Sequence, residues 1–463
     1  MSSDRTSEQR AQYAVMAMVL LNGVSMPMML SAVNVALPSI ATALALDAVQ
    51  LSWVPMSFLL TSAALVLSFG RLADMYGRKR VYLLGTTGLI VTSVLATLAP
   101  NGTLLIGARL LQGMTAAMVY GTHIAIVSSV YPPQQRGRMI GMTVATIYIG
   151  LTCGPFVGGW LVGVFGWQAA FLVHVPMCLA SIIVGLRYVS DEWRAEERGR
   201  FDVTGALLYT SAIVAFMYGM ASLPDLDSVL MMGLGAFGFW LFFHHQHRRP
   251  DPLFDVSLFY ANRIFALSCA ASVIMYTATF ANIVLLSLYL QYLRGLSPGN
   301  AGLVLMAQPA VMAVVSPWAG KLSDRIEPRV IASVGMAITS TGLYLLATMG
   351  AQTPLPVIVA YLMTTGLGFS LFSSPNANAI MGAVERRHYG IAGSSVATMR
   401  VLGQMASMGV VAMAFSLTLG AVQITPAVYP QLQWAVSLSL VIAATLCLPG
   451  IYLSLARGRL RAT

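Results

Sequence analysis

Four ionisable side chains interrupt the long apolar stretches of this sequence: Arg109, His123, His174 and Arg400. An ionisable group held in hydrocarbon is costly, so each is a candidate for function. The arginines keep their charge at any physiological pH and can hold an anion or a set of carbonyl oxygens. The histidines can titrate near neutrality, although a lone histidine in an apolar stretch more commonly serves packing. All 16 Asp and Glu residues fall in tails, loops or the ends of apolar stretches. The buried field is therefore positive and suits an anionic or a neutral, fairly apolar ligand. There is no nucleophile–base pair, phosphate-binding loop or metal-ligand cluster, which argues against an enzyme and predicts no cofactor and no metal. His244, His245 and His247 follow the end of an apolar stretch and read as a solvated run. Cys153, Cys178, Cys269 and Cys447 lie inside apolar segments, at spacings that suit neither zinc nor a redox pair.

The elements that hold these residues must be membrane-crossing helices. The 463 residues are 57% hydrophobic and 9% charged, with a mean hydropathy of +0.76. A soluble domain carries about 25% charged residues. Helices facing lipid need no such charge and satisfy their own backbone groups. Fourteen segments are long enough to span a bilayer. They begin near Tyr13, Leu51, Val81, Thr103, Met139, Trp167, Val203, Ser228, Ile264, Asn300, Val330, Pro354, Ile391 and Leu432, the eighth being short. If loops alternate sides, 23 of the 26 Lys and Arg residues fall on one side, only Arg294 falls on the other, and Arg109 and Arg400 lie within spans. The asymmetry supports the count and predicts that both termini are cytoplasmic. It also explains the net charge of +10, so no nucleic-acid partner is implied. Arg400 lies about 10 residues, roughly 15 Å, from the start of its span, close to mid-membrane.

Gly70-Arg71-Leu72-Ala73-Asp74 follows the second span, and Gly320-Lys321-Leu322-Ser323-Asp324 follows the tenth. The repeat predicts two equivalent six-helix bundles, 1–190 and 261–463, with two inserted helices in 191–260. Parallel six-span repeats are a transporter architecture with a substrate site between the halves. The glycines permit a tight turn, and Asp74 can meet a helix N-terminus or an arginine and latch the halves together. Gly154, Gly158 and Gly159 allow a neighbouring helix close in, and Pro155 bends its own helix. Methionines and aromatics would give an adaptable apolar cavity.

These motifs carry a resemblance. GRLADMYGRKR (70–80), Arg109-Leu-Leu-Gln112-Gly113 and the run from Gly150 through Gly154-Pro155 to Gly158-Gly159 are similar to signature motifs of the major facilitator superfamily, specifically its fourteen-span drug:proton antiporter branch. YLQYLRGLSPGNAGL (289–303), SSPNANAIMG (373–382) and MRVLGQ (399–404) also resemble that branch, and the likeness runs along nearly the whole chain. The resemblance implies an all-α integral membrane protein with the major facilitator fold. It implies a conformational latch at Gly70, Asp74, Gly77, Arg78, Gly320 and Asp324, and a proton or substrate pathway through Arg109, Gln112, His174, Asn34 and Arg400. Gly150, Gly154, Pro155, Gly158 and Gly159 would form a helix that biases the cycle towards export. Two departures stand out. His174 replaces an asparagine usual in the family, and Met29 stands where the branch commonly has a span-1 aspartate. The expected activity is export of small, largely apolar compounds (multidrug-type efflux) by alternating access, in exchange for protons. The alternatives are a facilitator or organic-anion exporter without tight proton coupling, and a non-transporting sensor or assembly factor. The expected setting is a bacterial inner membrane, as a monomer in the lipid bilayer.

Overall fold

Fourteen helices among the described residues are long and apolar enough to cross a membrane. They are α1 (Arg10–Ala43), α2 (Ala48–Tyr76), α3 (Arg78–Thr97), α4 (Gly102–Val130), α5 (Gly141–Phe165), α6 (Ala169–Tyr188), α7 (Val203–Ala221), α8 (Leu226–His247), α9 (Arg263–Leu293), α10 (Pro298–Ser323), α11 (Pro328–Ala347), α12 (Leu355–Gly382), α13 (Ala392–Thr418) and α14 (Pro426–Ala456). Every expected span has its counterpart, and the eighth, short in sequence, runs for 22 residues. The computed structural model describes residues 2–194, 200–323, 325–385 and 389–459. Asp324 of the second latch loop lies outside them.

The helices begin where short polar side chains can take up unpaired backbone N–H groups. Asp47 caps α2, accepting from Gln50 N at 2.7 Å, while Gln50 Oε1 accepts from Asp47 N at 3.4 Å. Asn101, Asp202 and Asn262 cap α4, α7 and α9 in the same way. Gly77 between α2 and α3 has φ +121°, and a Cβ there would strike the Glu192 carboxylate. Glu192 itself accepts from Lys79 N at 2.9 Å, placing a negative charge at the positive end of α3.

Helix pairings in the first six spans recur in the last six. The contacts α1–α5, α2–α4, α3–α4 and α3–α6 reappear as α9–α13, α10–α12, α11–α12 and α11–α14. The pair α7–α8 packs on itself, and α7 lies against α2 and α13. The two sets of six meet through α5–α10, α2–α13 and α1–α9.

The face bearing the basic loops and its opposite differ in how they close. On the opposite face, a wide turn over Tyr289–Leu293 at the end of α9 carries Gln291 onto α1, where Nε2 donates to Val35 O at 2.8 Å. Ala48 N donates to Val422 O at 2.8 Å, and Gln423 Nε2 donates to Ala45 O at 3.1 Å. These bonds stitch the α1–α2 loop to the α13–α14 loop. The basic face instead holds a cleft of ≈ 490 Å³ between α2, α4, the start of α13 and the 250–255 linker. The fold is closed on one face and open towards the other.

Candidate functional site

At the meeting of the two sets of six lies a cavity of ≈ 110 Å³, enough for several waters. Its apolar wall includes Met26, Leu30, Tyr148, Tyr276, Phe369 and Phe372; its polar groups include Asn22, His123, Ser272, Asn376, Arg400 and Gln404. No carboxylate is among the described lining residues. Arg400 makes no ion pair with any described residue, and its guanidinium carbon lies 6.0 Å from the centroid of the Tyr120 ring. His123 packs edge-on to Tyr82, with centroids 6.4 Å apart, and its Nε2 has no hydrogen-bond partner among the described residues. Tyr120 lines both the cavity and the basic-face cleft, so the two spaces share that side chain as a wall.

Of the five expected pathway residues, only Arg400 lines this cavity. Arg109, Gln112 and His174 form a separate, fully buried cluster within the first six helices. Arg109 Nε donates to Val54 O at 3.0 Å, and Nη1 donates to Gln112 Oε1. Gln112 Nε2 donates to Ser93 Oγ at 2.6 Å, which lies 3.4 Å from His174 Nε2. Met29 occupies the counter-ion position literally: its Sδ is 3.7 Å from Arg109 Nη1. The rings of Phe58 and Phe171, with centroids 4.4 and 5.7 Å from the guanidinium carbon, offer their negative faces instead. Asn34 is buried elsewhere on α1, and its Oδ1 has no partner among the described residues.

In the first latch loop, Arg78 Nε donates to Asp74 Oδ1 at 2.7 Å, and Nη1 donates to Ala125 O at 3.2 Å and Ser129 Oγ at 2.5 Å. Asp74 thus pairs with an arginine of its own bundle, and that arginine is tied to the end of α4. Gly70 lies where α2 crosses α4 at Gly121. Among the described residues, two ion pairs reach beyond this bundle: Arg71–Asp251, at 3.7 Å, to the linker after α8, and Arg80–Glu192, at 3.7 Å, to the stretch after α6. Ser394, Ala397 and Thr398 of α13 face Asp74 across the cleft. In the second loop, Ser323 Oγ donates to Gly320 O at 2.7 Å and accepts from Asn378 Nδ2 at 2.6 Å.

The glycine-rich helix is held from both sides. A Cβ on Gly154 would come 2.7 Å from Ser31 Cβ and 2.9 Å from Met28 O; Gly150 and Gly158 abut Val24 and Ala32 of α1. On another face, Gly159 abuts Pro298 O, and the Pro155 carbonyl sits where a Cβ on Gly302 of α10 would be.

Two clusters near span ends depart from the sequence reading, and the first corrects it for His245, which is not merely solvated but bonds a buried acid. Asp202 is buried before α7 and accepts from His245 Nε2 at 3.0 Å, Gln246 Nε2 at 2.8 Å and Arg249 Nη2 at 3.5 Å. Burial alone would raise its pKa, but bonds from Gly205 N, His245 and Gln246 hold it below the ordinary carboxylate value. Arg457, just past α14, is 2% exposed. Burial pushes its guanidinium down to about 10, which leaves it charged at neutral pH.

With this geometry in place, likeness to known proteins is decisive. The model of the Major Facilitator Superfamily matches residues 19–408 and 267–461. The chain belongs to the major facilitator superfamily. It is 31% identical over 373 residues to the riboflavin transporter RibZ of Clostridioides difficile, covering 80% of this chain and 81% of the relative. It is 33% identical over 377 residues to the multidrug resistance protein Stp of Mycobacterium tuberculosis, covering 80% and 70%. A third relative is the tetracenomycin C resistance and export protein of Streptomyces glaucescens, 27% identical over 370 residues and covering 78% and 68%. Among solved structures, a POT family transporter in complex with a thioalcohol conjugated peptide aligns with a TM-score of 0.71 at 13% identity, covering 95% of both chains. The human organic anion transporter MFSD10 aligns at 0.61 and 15%, covering 96% and 99%. These structural likenesses speak for the fold. The chain is a multi-pass major facilitator transporter, and its fourteen spans and drug-efflux relatives fit the fourteen-span drug:proton antiporter branch.

Proposed function

We propose that this transporter is a secondary exporter of small, largely apolar compounds, working by alternating access with the central cavity as its substrate site. The observation that carries the reading is the cavity itself: a largely apolar, aromatic-rich wall between the two sets of helices, with the Arg400 guanidinium making no ion pair with any described residue. Export is the direction named for the tetracenomycin C relative. Residues 1–190 and 261–463 act as the moving bundles, and 191–260 rides with them. The Asp74 loop and the start of α13 close the basic face in the opposite half of the cycle. That face is the cytoplasmic one in a bacterial inner membrane, where the chain works as a monomer.

Proton exchange fits the family motifs. A second reading, export or facilitated passage of organic anions without tight proton coupling, is favoured by Arg400 and by the absence of a described carboxylate around the cavity. The test is flux in proteoliposomes. An imposed pH gradient should drive accumulation of an apolar fluorescent dye; flux that ignores the gradient would leave only the second reading, and no flux of any solute would remove both. Arg400→Ala should weaken transport of anionic dyes about tenfold or more, the scale of a lost charged hydrogen bond, and spare neutral dyes. Equal losses would assign Arg400 to packing.

A further inference from the structure

Arg457 counts as tail charge in the sequence, yet its side chain reaches back beneath the cavity. Nη1 donates to Ser268 Oγ of α9 at 3.0 Å and to Asn376 Oδ1 of α12 at 2.5 Å. Asn376 Nδ2 in turn donates to Ser268 O at 3.0 Å and to Ser272 Oγ at 2.8 Å. All four side chains are buried, and Ser272 and Asn376 line the cavity.

The chemistry of this chain of bonds has a direction. A guanidinium only donates, so the amide facing Arg457 must present its oxygen and turn its NH2 towards Ser272. Ser272 Oγ therefore accepts and keeps its own proton to give. That proton has no acceptor among the described residues. If the amide were free to flip, its oxygen would face Ser272 and draw the hydroxyl proton away from the cavity.

We propose that Arg457 positions Asn376 so that Ser272 offers its O–H to the cavity, selecting substrates that carry a carbonyl or similar acceptor oxygen on an aromatic frame. The inference rests on the cavity being the substrate site, and it names what that site recognises. Arg400, the other strong donor in the cavity, points to the same class: oxygen-rich aromatics, neutral or anionic.

The test uses the purified full chain and two probes of equal charge and frame, anthraquinone-2-carboxylate and anthracene-2-carboxylate, which differ in the two ring carbonyls. The wild type should bind the quinone about three- to tenfold more tightly, the value of one net hydrogen bond. Ser272→Ala should bring the ratio of the two Kd values to one. Asn376→Asp should do the same, since it keeps an oxygen on Arg457 and has no N–H for Ser272. Arg457→Gln, which permits the flip, should also abolish the ratio, whereas the donor-only Arg457→Lys should keep it. A structural role alone would weaken both probes equally and leave the ratio intact. A wild-type ratio of one, or a ratio untouched by Ser272→Ala and Asn376→Asp, overturns the inference while Arg400→Ala still reports on the cavity by weakening both probes. If neither probe binds the wild type, the cavity reading falls and the inference with it.

Discussion

At the scale of single residues, Asp74 serves its own bundle in this conformation. Its carboxylate is held by Arg78, which in turn grips the end of α4, and α13 waits across an open cleft. In the proposed cycle, closing the basic face brings the start of α13 to this carboxylate. Asp74→Asn keeps the shape and removes the charge. It should lower flux about tenfold, equivalent to ~1.4 kcal/mol on the switching barrier, with the protein still present in the membrane; undiminished flux would rule out the latch. The sequence located Asp74, Arg109 and Arg400 because a charge in or beside an apolar run is conspicuous. It could not say that Arg109 and Arg400 occupy different compartments. Both are basic residues inside spans, and only tertiary packing puts Arg109 among α1, α2 and α6 and Arg400 in the cavity wall. Met29 was legible as a missing acid, and its sulfur does lie beside Arg109. Arg457 was not legible at all, because nothing in RGRLRAT distinguishes the arginine that folds back from those that do not.

At the scale of elements, the seam between α5 and α10 is held by close backbone approach. The Pro155 carbonyl lies against Gly302, and the Pro298 carbonyl against Gly159. Gly302→Ala must push the helices apart, at a cost of about 1–3 kcal/mol for overpacking. It should lower the thermal unfolding temperature of the detergent-solubilised protein. Gly299→Ala is the control, because a Cβ there meets only Gly159 O, at 4.0 Å, and it should change little. Equal effects of the two would mean that the close approach at Gly302 is not what holds the seam. The glycine stripe of α5 was readable as a surface for close packing. Its two partners were not, since periodicity shows a face and never what lies against it. Hydropathy likewise found all fourteen spans but not the wide turn that swings Gln291 onto α1, for that turn costs no hydrophobicity.

At the scale of the whole molecule, the closed face and the open face correspond to one end of the proposed alternating-access cycle, in which the loop seam on the closed face must part. Asp47 and Gln423 face each other as an isolated antiparallel bridge, a geometry with Cα atoms about 4.5–5.5 Å apart, inside the range a disulfide tolerates. Asp47→Cys with Gln423→Cys, once oxidised, should stop transport, and a reductant should restore it; Asp47→Cys alone controls for the lost helix cap. Full flux through the oxidised pair would mean that the seam need not open. The acceptors along this seam are Val35 O, Ala45 O and Val422 O, all of them main-chain oxygens. Such oxygens are present whatever side chains those positions carry, so mutation there leaves the acceptors in place. The cavity wall has little such insulation, since nearly all of its lining is side chain. On the proposed reading, substitutions in the cavity wall can change the cargo one residue at a time, while on the far face only the donors Gln291 and Gln423 need be kept for the seam to shut.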